Sequence, residues 1–339
     1  MRKKNTKPLL IVILIAVALV IFIVYQNKLS NTGSQQKNTE KPVVIAYQTG
    51  VDPGKVAQAN GDYEKNSHSN IQWKKFDSGT DVVNALASGD VVIGNIGSSP
   101  FAAATSRNLP IETFLVTSQL GESEALLVRD KIRSPQDLIG KTIAVPFVST
   151  THYSLLSALK HWGIAEQQVK IINLRPPEIA AAWQRGDIDG AYVWEPVLGK
   201  LKNAGHVLTD SKQVGEWGAP TYDLWVVRKD FAEKHPEFLK SFVQTTLKQV
   251  DVYNQDPKAY VTNVDNLSKI SELTGSDAQN IAVSLAGNTY LNAKEQQTVL
   301  ASQFAKNIFD TATFLKAQGK VDQVKVSYAD DVTTAFLQP

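Results

Sequence analysis

One pattern, used twice, constrains the fold of this chain more than any other feature. Val82-Val83-Asn84-Ala85-Leu86-Ala87-Ser88-Gly89-Asp90-Val91-Val92-Ile93-Gly94 reads as a helix with one apolar face, a Gly-Asp turn and a strand. Ile179-Ala180-Ala181-Ala182-Trp183-Gln184-Arg185-Gly186-Asp187-Ile188-Asp189-Gly190-Ala191 repeats that reading 97 residues later. Gly89 and Gly186 fall where a helix C-cap needs a left-handed residue. The separation is too wide for a solenoid repeat. It predicts two similar α/β lobes, each ending the unit at a loop beside a shared crevice.

The rest of the chain fits that outline. From Pro42 onward strand-like and helix-like segments alternate. Val43–Tyr47, Val91–Gly94, Ala125–Val128, Thr142–Val145, Lys170–Asn173, Ala191–Val193 and Leu224–Val227 read as strands. Asp81–Ser88 reads as a short helix, and Ser134, Pro135 and Asp137 read as the capped start of another. Beyond Phe231 the pattern is nearly all helical, with helices expected near Pro236–Tyr253 and Ala293–Gln318. Alternation of this kind predicts mostly parallel sheets covered by helices. A length of 339 residues suits two domains better than one core.

Charge and cysteine content narrow the function. The first 41 residues hold seven Lys/Arg and one Glu, which leaves 28 basic and 32 acidic residues for the rest. The folded part is therefore mildly acidic, which argues against a nucleic-acid partner. A small anion needs local dipoles rather than net charge and stays admissible. The chain has no cysteine, which excludes disulfides, thiolate metal sites, cysteine nucleophiles and lipid attachment through an N-terminal Cys.

The N-terminus predicts export. Arg2, Lys3, Lys4 and Lys7 precede an unbroken apolar run from Leu9 to Tyr25. Its 17 residues would make a helix of roughly 26 Å, against a hydrocarbon core of about 30 Å. No A-x-A site follows Ile23-Val24-Tyr25, so residues 1–29 read either as a signal peptide or as an uncleaved anchor. The basic flank would stay in the cytoplasm in both cases. Residues 30–41, rich in Ser, Asn, Gln, Thr and Lys, read as a flexible tether.

Two hydroxyl clusters carry the chemistry. Ser149, Thr150 and Thr151 follow the strand that ends at Pro146 and open an amphipathic helix with Leu155, Leu156, Leu159 and Trp162 on one face. Ser98 and Ser99 follow the strand of the first repeat and precede Pro100, at another helix start. Either cluster alone reads as ordinary capping. Two on opposing lobes would place free backbone N–H groups and positive dipole ends around one small anion. Trp194 is either core or a crevice aromatic facing a ligand cation. Asp223, between strand-like residues, is either a capped strand end or the partner of a buried ammonium.

Other chemistries find little support. His68, His152, His161, His206 and His235 show no metal-ligand spacing, and Ser99 is not in a G-x-S-x-G elbow. Asp187 and Asp189 form a Gly-Asp-x-Asp turn, which reads as a solvated corner before a catalytic pair. There is no P-loop and no G-x-G-x-x-G.

From about Val43 to Phe231 the chain resembles the taurine-, aliphatic-sulfonate- and nitrate-binding family of solute-binding proteins that serve bacterial ABC importers. The matching blocks include Ala46-Tyr47-Gln48-Thr49, Lys75-Phe76-Asp77-Ser78-Gly79, Ala85 to Val91 and Gly97-Ser98-Ser99-Pro100. They continue through Ser123-Glu124-Ala125-Leu126, Ser149 to Leu156, Ala181 to Trp194 and Trp217-Gly218-Ala219-Pro220. Beyond about Lys248 the similarity fades, apart from Gly287-Asn288-Thr289-Tyr290-Leu291. Glu195 departs from the family by placing an acidic residue beside Trp194, where a small one is usual.

The resemblance implies a type II periplasmic-binding-protein fold, α/β, with two lobes joined by a two-crossover hinge. The expected division is residues 42–127 and 224–339 for the first lobe and 128–223 for the second. It implies an extracytoplasmic protein, not an enzyme and without a cofactor or metal, that takes taurine or a related sulfonate and delivers it to an ABC permease. Ser98, Ser99, Thr150 and Thr151 would hold the sulfonate, Asp223 and Trp194 the ammonium, and Gln48 would line the crevice. A monomer is the default state. The competing expectations are a binder of other alkanesulfonates or another small anion, an enzyme like the thiamine-pyrimidine synthases on the same fold, and a membrane-anchored sensory domain.

Overall fold

The computed structural model describes residues 41–338, so the Leu9–Tyr25 run and nearly all of the tether lie outside the described residues. Pro42–Pro339 forms one compact unit. Among the described residues no helix is long and apolar enough to cross a membrane.

Among the described residues ten strands build two five-stranded sheets. They are β1 (Val43–Tyr47), β2 (Ile71–Lys75), β3 (Ile93–Gly97), β4 (Ile111–Gln119), β5 (Glu124–Val128), β6 (Thr142–Val145), β7 (Lys170–Asn173), β8 (Gly190–Trp194), β9 (His206–Asp210) and β10 (Tyr222–Arg228). The first sheet runs β2-β1-β3-β10-β4 and the second β7-β6-β8-β5-β9. The same order recurs in each, with one reversed strand. β10 is antiparallel to β3 and β4, and β5 is antiparallel to β8 and β9. The expectation of mostly parallel sheets therefore holds except for one strand per lobe.

Those reversed strands are the first strands after each crossing between sheets. The chain crosses between β4 and β5, over residues 120–123, and returns between β9 and β10 through residues 211–221. The expected boundaries at 127/128 and 223/224 come too late in the chain. Glu124–Val128 pairs wholly within the second sheet, and Tyr222 and Asp223 pair within the first.

Each sheet is packed on both faces. Ile96, Phe101, Leu224 and Phe304 belong to one buried cluster of the first lobe, and Ile45, Trp225, Phe242 and Leu239 to the other. In the second lobe Leu127, Trp183 and Val193 lie on one side, and Leu126, Leu155 and Tyr192 on the opposite one. Adjacent residues of β5 and β8 thus serve opposite faces, as a two-residue strand period requires.

The repeated unit folds as read. Helices Gly79–Ser88 and Pro176–Arg185 end on Gly89 and Gly186 at φ of 81° and 80°. The strand of the first copy, however, begins at Ile93 rather than Val91 and runs through Gly94 to Gly97. A Cβ on Gly94 would lie 2.6 Å from Val82 Cγ1, so the bare glycine lets the helix close on the sheet. The Ser134 start holds only a single turn of 3₁₀ helix, Pro135–Leu138, although its capping box forms. Ala293–Gln318 divides at Gln303 into helices Ala293–Ser302 and Phe304–Ala317.

Candidate functional site

Parallel strands deliver their C-terminal ends to the crevice, and reversed strands deliver their first residues. In the first lobe β3 ends at Gly97, the N-cap of helix Ser98–Ser106. Gly97 pairs with Asp223, near the start of β10. In the second lobe β6 leads through Pro146 to Ser149, the N-cap of helix Thr150–His161. Trp194, the last residue of β8, pairs with Glu124, the first of β5. Each lobe so contributes a helix start and a carboxyl group to one place.

A single cavity between the lobes collects these groups. Gln48, Thr150, Trp194 and Asp223 line it, together with Gly97, Ser123, Glu124, Ser149, Glu195 and Asn288 among others. Four of the seven site residues expected from the sequence therefore meet in one place. Trp194 also packs against the second-lobe core, so it is at once a core neighbour and part of the cavity wall.

The remaining three are not on the lining. Ser98 Oγ is buried and accepts a hydrogen bond from the Tyr222 N–H at 3.3 Å. Thr151 Oγ1 lies 2.7 Å from Ser149 Oγ, next to the helix cap that Ser149 makes with the His152 N–H. Ser99 Oγ is buried with no hydrogen-bond partner. Hydroxyls at a helix start divide between capping, packing and the cavity, and the sequence pattern does not show the division.

Glu124 and Asp223 dominate the electrostatics. Glu124 is 4% exposed, and Thr150 Oγ1 lies 2.6 Å from its Oε1 and Ser211 Oγ 3.1 Å from its Oε2. Burial, then the nearby Asp223 charge, push its carboxyl up to about 8, against a smaller downward pull from the two hydroxyls. Asp223 is likewise pushed up to about 7, first by burial and then by Asp52, with Lys55 opposing. Asp52 and Lys55 form their own buried ion pair at 3.6 Å. Among the described residues no hydrogen bond and no ion pair reaches the Asp223 carboxyl group. An unpaired acid at a cavity wall suits a cationic ligand group.

Contacts across the crevice hold the lobes together around the cavity. Thr49 Oγ1 donates to the Glu195 carbonyl at 3.1 Å. Arg175 Nη2, at the start of the second-lobe helix, reaches Asp81 Oδ2 at 2.8 Å and Asp77 Oδ2 at 3.3 Å. Gln48 Nε2 donates to the Asn95 carbonyl at 2.9 Å, which fixes its amide beside the cavity. Glu195, the acidic residue beside Trp194, turns its Oε2 to the Gly199 N–H at 3.1 Å, at its own helix. Asp187 and Asp189 form the expected corner: Asp187 pairs with Arg185, and Asp189 accepts from the Thr142 N–H.

Sequence reading missed Glu124, Ser123 and Asn288. Asn288 Oδ1 accepts from the Gly121 N–H at 2.9 Å and from Ser123 Oγ at 2.7 Å, tying the first crossing to the first lobe. The one available signal was an acid opening an otherwise apolar strand, Glu124-Ala125-Leu126-Leu127-Val128.

Comparison with known proteins agrees with this architecture. Residues 41–272 match the OpuAC family, described as the substrate binding domain of ABC-type glycine betaine transport systems. The taurine-binding periplasmic protein of Escherichia coli strain K12 is 55% identical over 296 residues, covering 87% of this chain and 92% of that protein. The periplasmic aliphatic sulphonate binding protein SsuA of Escherichia coli matches with a TM-score of 0.69 at 21% identity, covering 88% of this chain and 100% of that one. The alkanesulfonate-binding protein SsuA of Xanthomonas axonopodis pv. citri, bound to MOPS, matches with a TM-score of 0.68 at 20% identity, over 83% of this chain and 94% of that one. At these identities the structural likeness establishes the two-lobed fold.

Proposed function

This chain belongs to the OpuAC family of ABC-type substrate-binding domains, and from that premise we propose that it captures taurine outside the cytoplasm and delivers it to an ABC permease. Family membership supports the transport role, and the 55% identity to a taurine-binding protein supports the ligand. The observation that carries the ligand assignment is chemical. One cavity holds both the Thr150 helix start and the unpaired Asp223 carboxyl group.

Taurine needs both ends. Its sulfonate is tetrahedral and permanently ionised. Hydroxyls and helix N–H dipoles can hold the three oxygens without burying an opposing full charge. Its ammonium needs a carboxylate or an aromatic face, which Asp223 and Trp194 supply. We assign the sulfonate to Thr150 and the Ser149 helix start, with Ser98, Ser99 and Thr151 buried behind the lining, and Gln48 to the side wall. An alkanesulfonate without an amine would leave Asp223 idle, so other sulfonates are the lesser reading. Capture and release suffice for this site.

Calorimetric titration with taurine, ethanesulfonate and β-alanine in parallel tests the assignment. Tight binding of taurine alone is the expected result, because only taurine presents both ends. Equal binding of ethanesulfonate would leave Asp223 structural and make the protein a general sulfonate binder. Binding of none of the three would sink the sulfonate reading.

A further inference from the structure

The hydroxyl that lines the cavity at the sulfonate end is already committed. Thr150 has one hydroxyl proton, and its Oγ1 lies 2.6 Å from Glu124 Oε1. If Glu124 is ionised, that proton points at the carboxylate. Thr150 then turns only lone pairs toward an anionic ligand. An ionised Glu124 would also set a full negative charge directly behind the group meant to hold a sulfonate.

Charge counting gives the same answer. Asp52, Asp223 and Glu124 stand near one another with Lys55 as the cation of the group. Fully ionised, the four would carry two net negative charges. Taurine carries no net charge and removes neither. Among the described residues no lysine or arginine forms an ion pair with Glu124. The groups facing it are Thr150 from one helix, Ser211 from another and Asp223 from β10, with Tyr192 from β8 reaching it through Ser211. Asp210, beside Ser211, adds further negative charge against Tyr192.

We propose that Glu124 stays protonated in the ligand-loaded site and donates its proton to Thr150 Oγ1, which frees the Thr150 hydroxyl to donate to the ligand's anionic oxygen. The inference rests on the reading of the cavity as a sulfonate site. It makes Glu124 a positioning residue that acts through Thr150. The hydroxyls behind it are arranged to match. Tyr192 OH lies 3.2 Å from Ser211 Oγ, and Ser211 Oγ lies 3.1 Å from Glu124 Oε2. Donors can then run in one direction, from Tyr192 to Ser211 to Glu124 to Thr150 to ligand, each bond polarising the next. Burial supports the assignment by holding the Glu124 carboxyl at about 8, so that it is mostly neutral at neutral pH.

The test is the pH dependence of taurine affinity in the wild-type protein and in Glu124→Gln. The glutamine amide donates permanently to Thr150, while its carbonyl accepts from Ser211. At pH 7 the variant should bind within about threefold of wild type, since about nine-tenths of Glu124 is already protonated there. Between pH 7 and pH 9 wild-type affinity should fall about tenfold more than that of the variant. The ligand's own ammonium titrates equally in both comparisons and cancels. Equal pH slopes would overturn the proposal. So would a loss of a hundredfold or more in folded Glu124→Gln at pH 7, which would make Glu124 a carboxylate partner of the ammonium.

A second measurement needs only the wild-type protein. Titration at pH 8 in two buffers of different ionisation enthalpy counts protons, and binding should take up about half a proton per taurine. Proton release, or no exchange, would overturn the proposal. If wild type does not bind taurine at pH 7, the assigned function fails first and this inference falls with it. Tight binding with a flat difference in pH profile removes only the Glu124 role.

Discussion

Gly97 and Thr150 meet across the crevice so closely that a Cβ on Gly97 would lie 2.6 Å from Thr150 Cγ2. The N-cap of one lobe's helix is thus pressed against the first residue of the other's. Gly97 has φ −73° and ψ 162°, a conformation alanine adopts without strain. Gly97→Ala should therefore act on lobe closure and not on the backbone. Affinity for taurine should fall about tenfold or more, because the added methyl must push the lobes apart. Unliganded stability should change by less than about 1 kcal/mol. Titration together with small-angle scattering checks this. Unchanged affinity would mean that the lobes do not close to this distance on the ligand.

Asp223→Asn should separate the two ends of the ligand. Only taurine carries the ammonium that an Asp223 carboxylate would hold. Losing one partner of a buried charge pair costs about 2–5 kcal/mol, or roughly thirtyfold to several thousandfold in affinity. Ethanesulfonate binding should change by less than about threefold, since its sulfonate is assigned to the Thr150 end. Parallel titration of both ligands reads the difference. Equal losses for the two would remove Asp223 from the ammonium role.

Arg175 bridges the lobes, but its energetic share should be small. Its side chain is 54% exposed, and Asp77 and Asp81 are 46% and 34% exposed. Exposed pairs contribute about 0–1 kcal/mol and weaken with salt. Arg175→Ala should weaken taurine binding by at most about fivefold, with most of the difference gone at high ionic strength. Titrations at low and high salt check it. A hundredfold, salt-independent loss would mean that the bridge governs closure.

The duplicated helix-turn-strand unit was legible because local physics writes it: an apolar face, then a glycine at positive φ. The two helix starts were legible for the same reason. The carboxyl pair was only half legible. Asp223 stands out as an odd acid among apolar residues, whereas Glu124 stands only at the edge of an apolar run. What brings them together is the reversal of β5 and β10, each the first strand after a crossing. Strand direction is settled by long-range pairing, which no local pattern records. The crossing points were misplaced for a related reason. Ala125-Leu126-Leu127-Val128 reads as a buried strand of either sheet, and only its pairing with β8 and β9 decides. Ser98 and Thr151 carried the right chemistry, but the pattern could not show that packing would use their hydroxyls first.

The unliganded protein should lose stability as pH rises toward 8. Glu124 and Asp223 both have folded values raised above their ordinary ones, to about 8 and about 7, chiefly by burial. For an acid so raised, the contribution is intact below the ordinary value, near 4.5 or 3.8. It is lost as pH climbs to the folded value and stays lost above it. His152 works in the opposite direction. Burial, with help from Lys320, lowers it from 6.5 to about 4, so its contribution is present above 6.5 and lost as pH falls toward 4. It sits against Phe147, with rings 4.7 Å apart, and its Nδ1 accepts from the Val148 N–H at 3.4 Å. The decline should therefore be shallow from pH 5 to 6.5 and steepest just above, where both carboxyls titrate unopposed. Its total should be on the order of a few kcal/mol, or several degrees in Tm. His152→Gln should steepen the lower part of the curve by removing the opposing group, and saturating taurine should flatten the Asp223 share. Thermal melts from pH 5 to 9 check this, and a Tm that rises across pH 6.5–8 would contradict the burial of both acids.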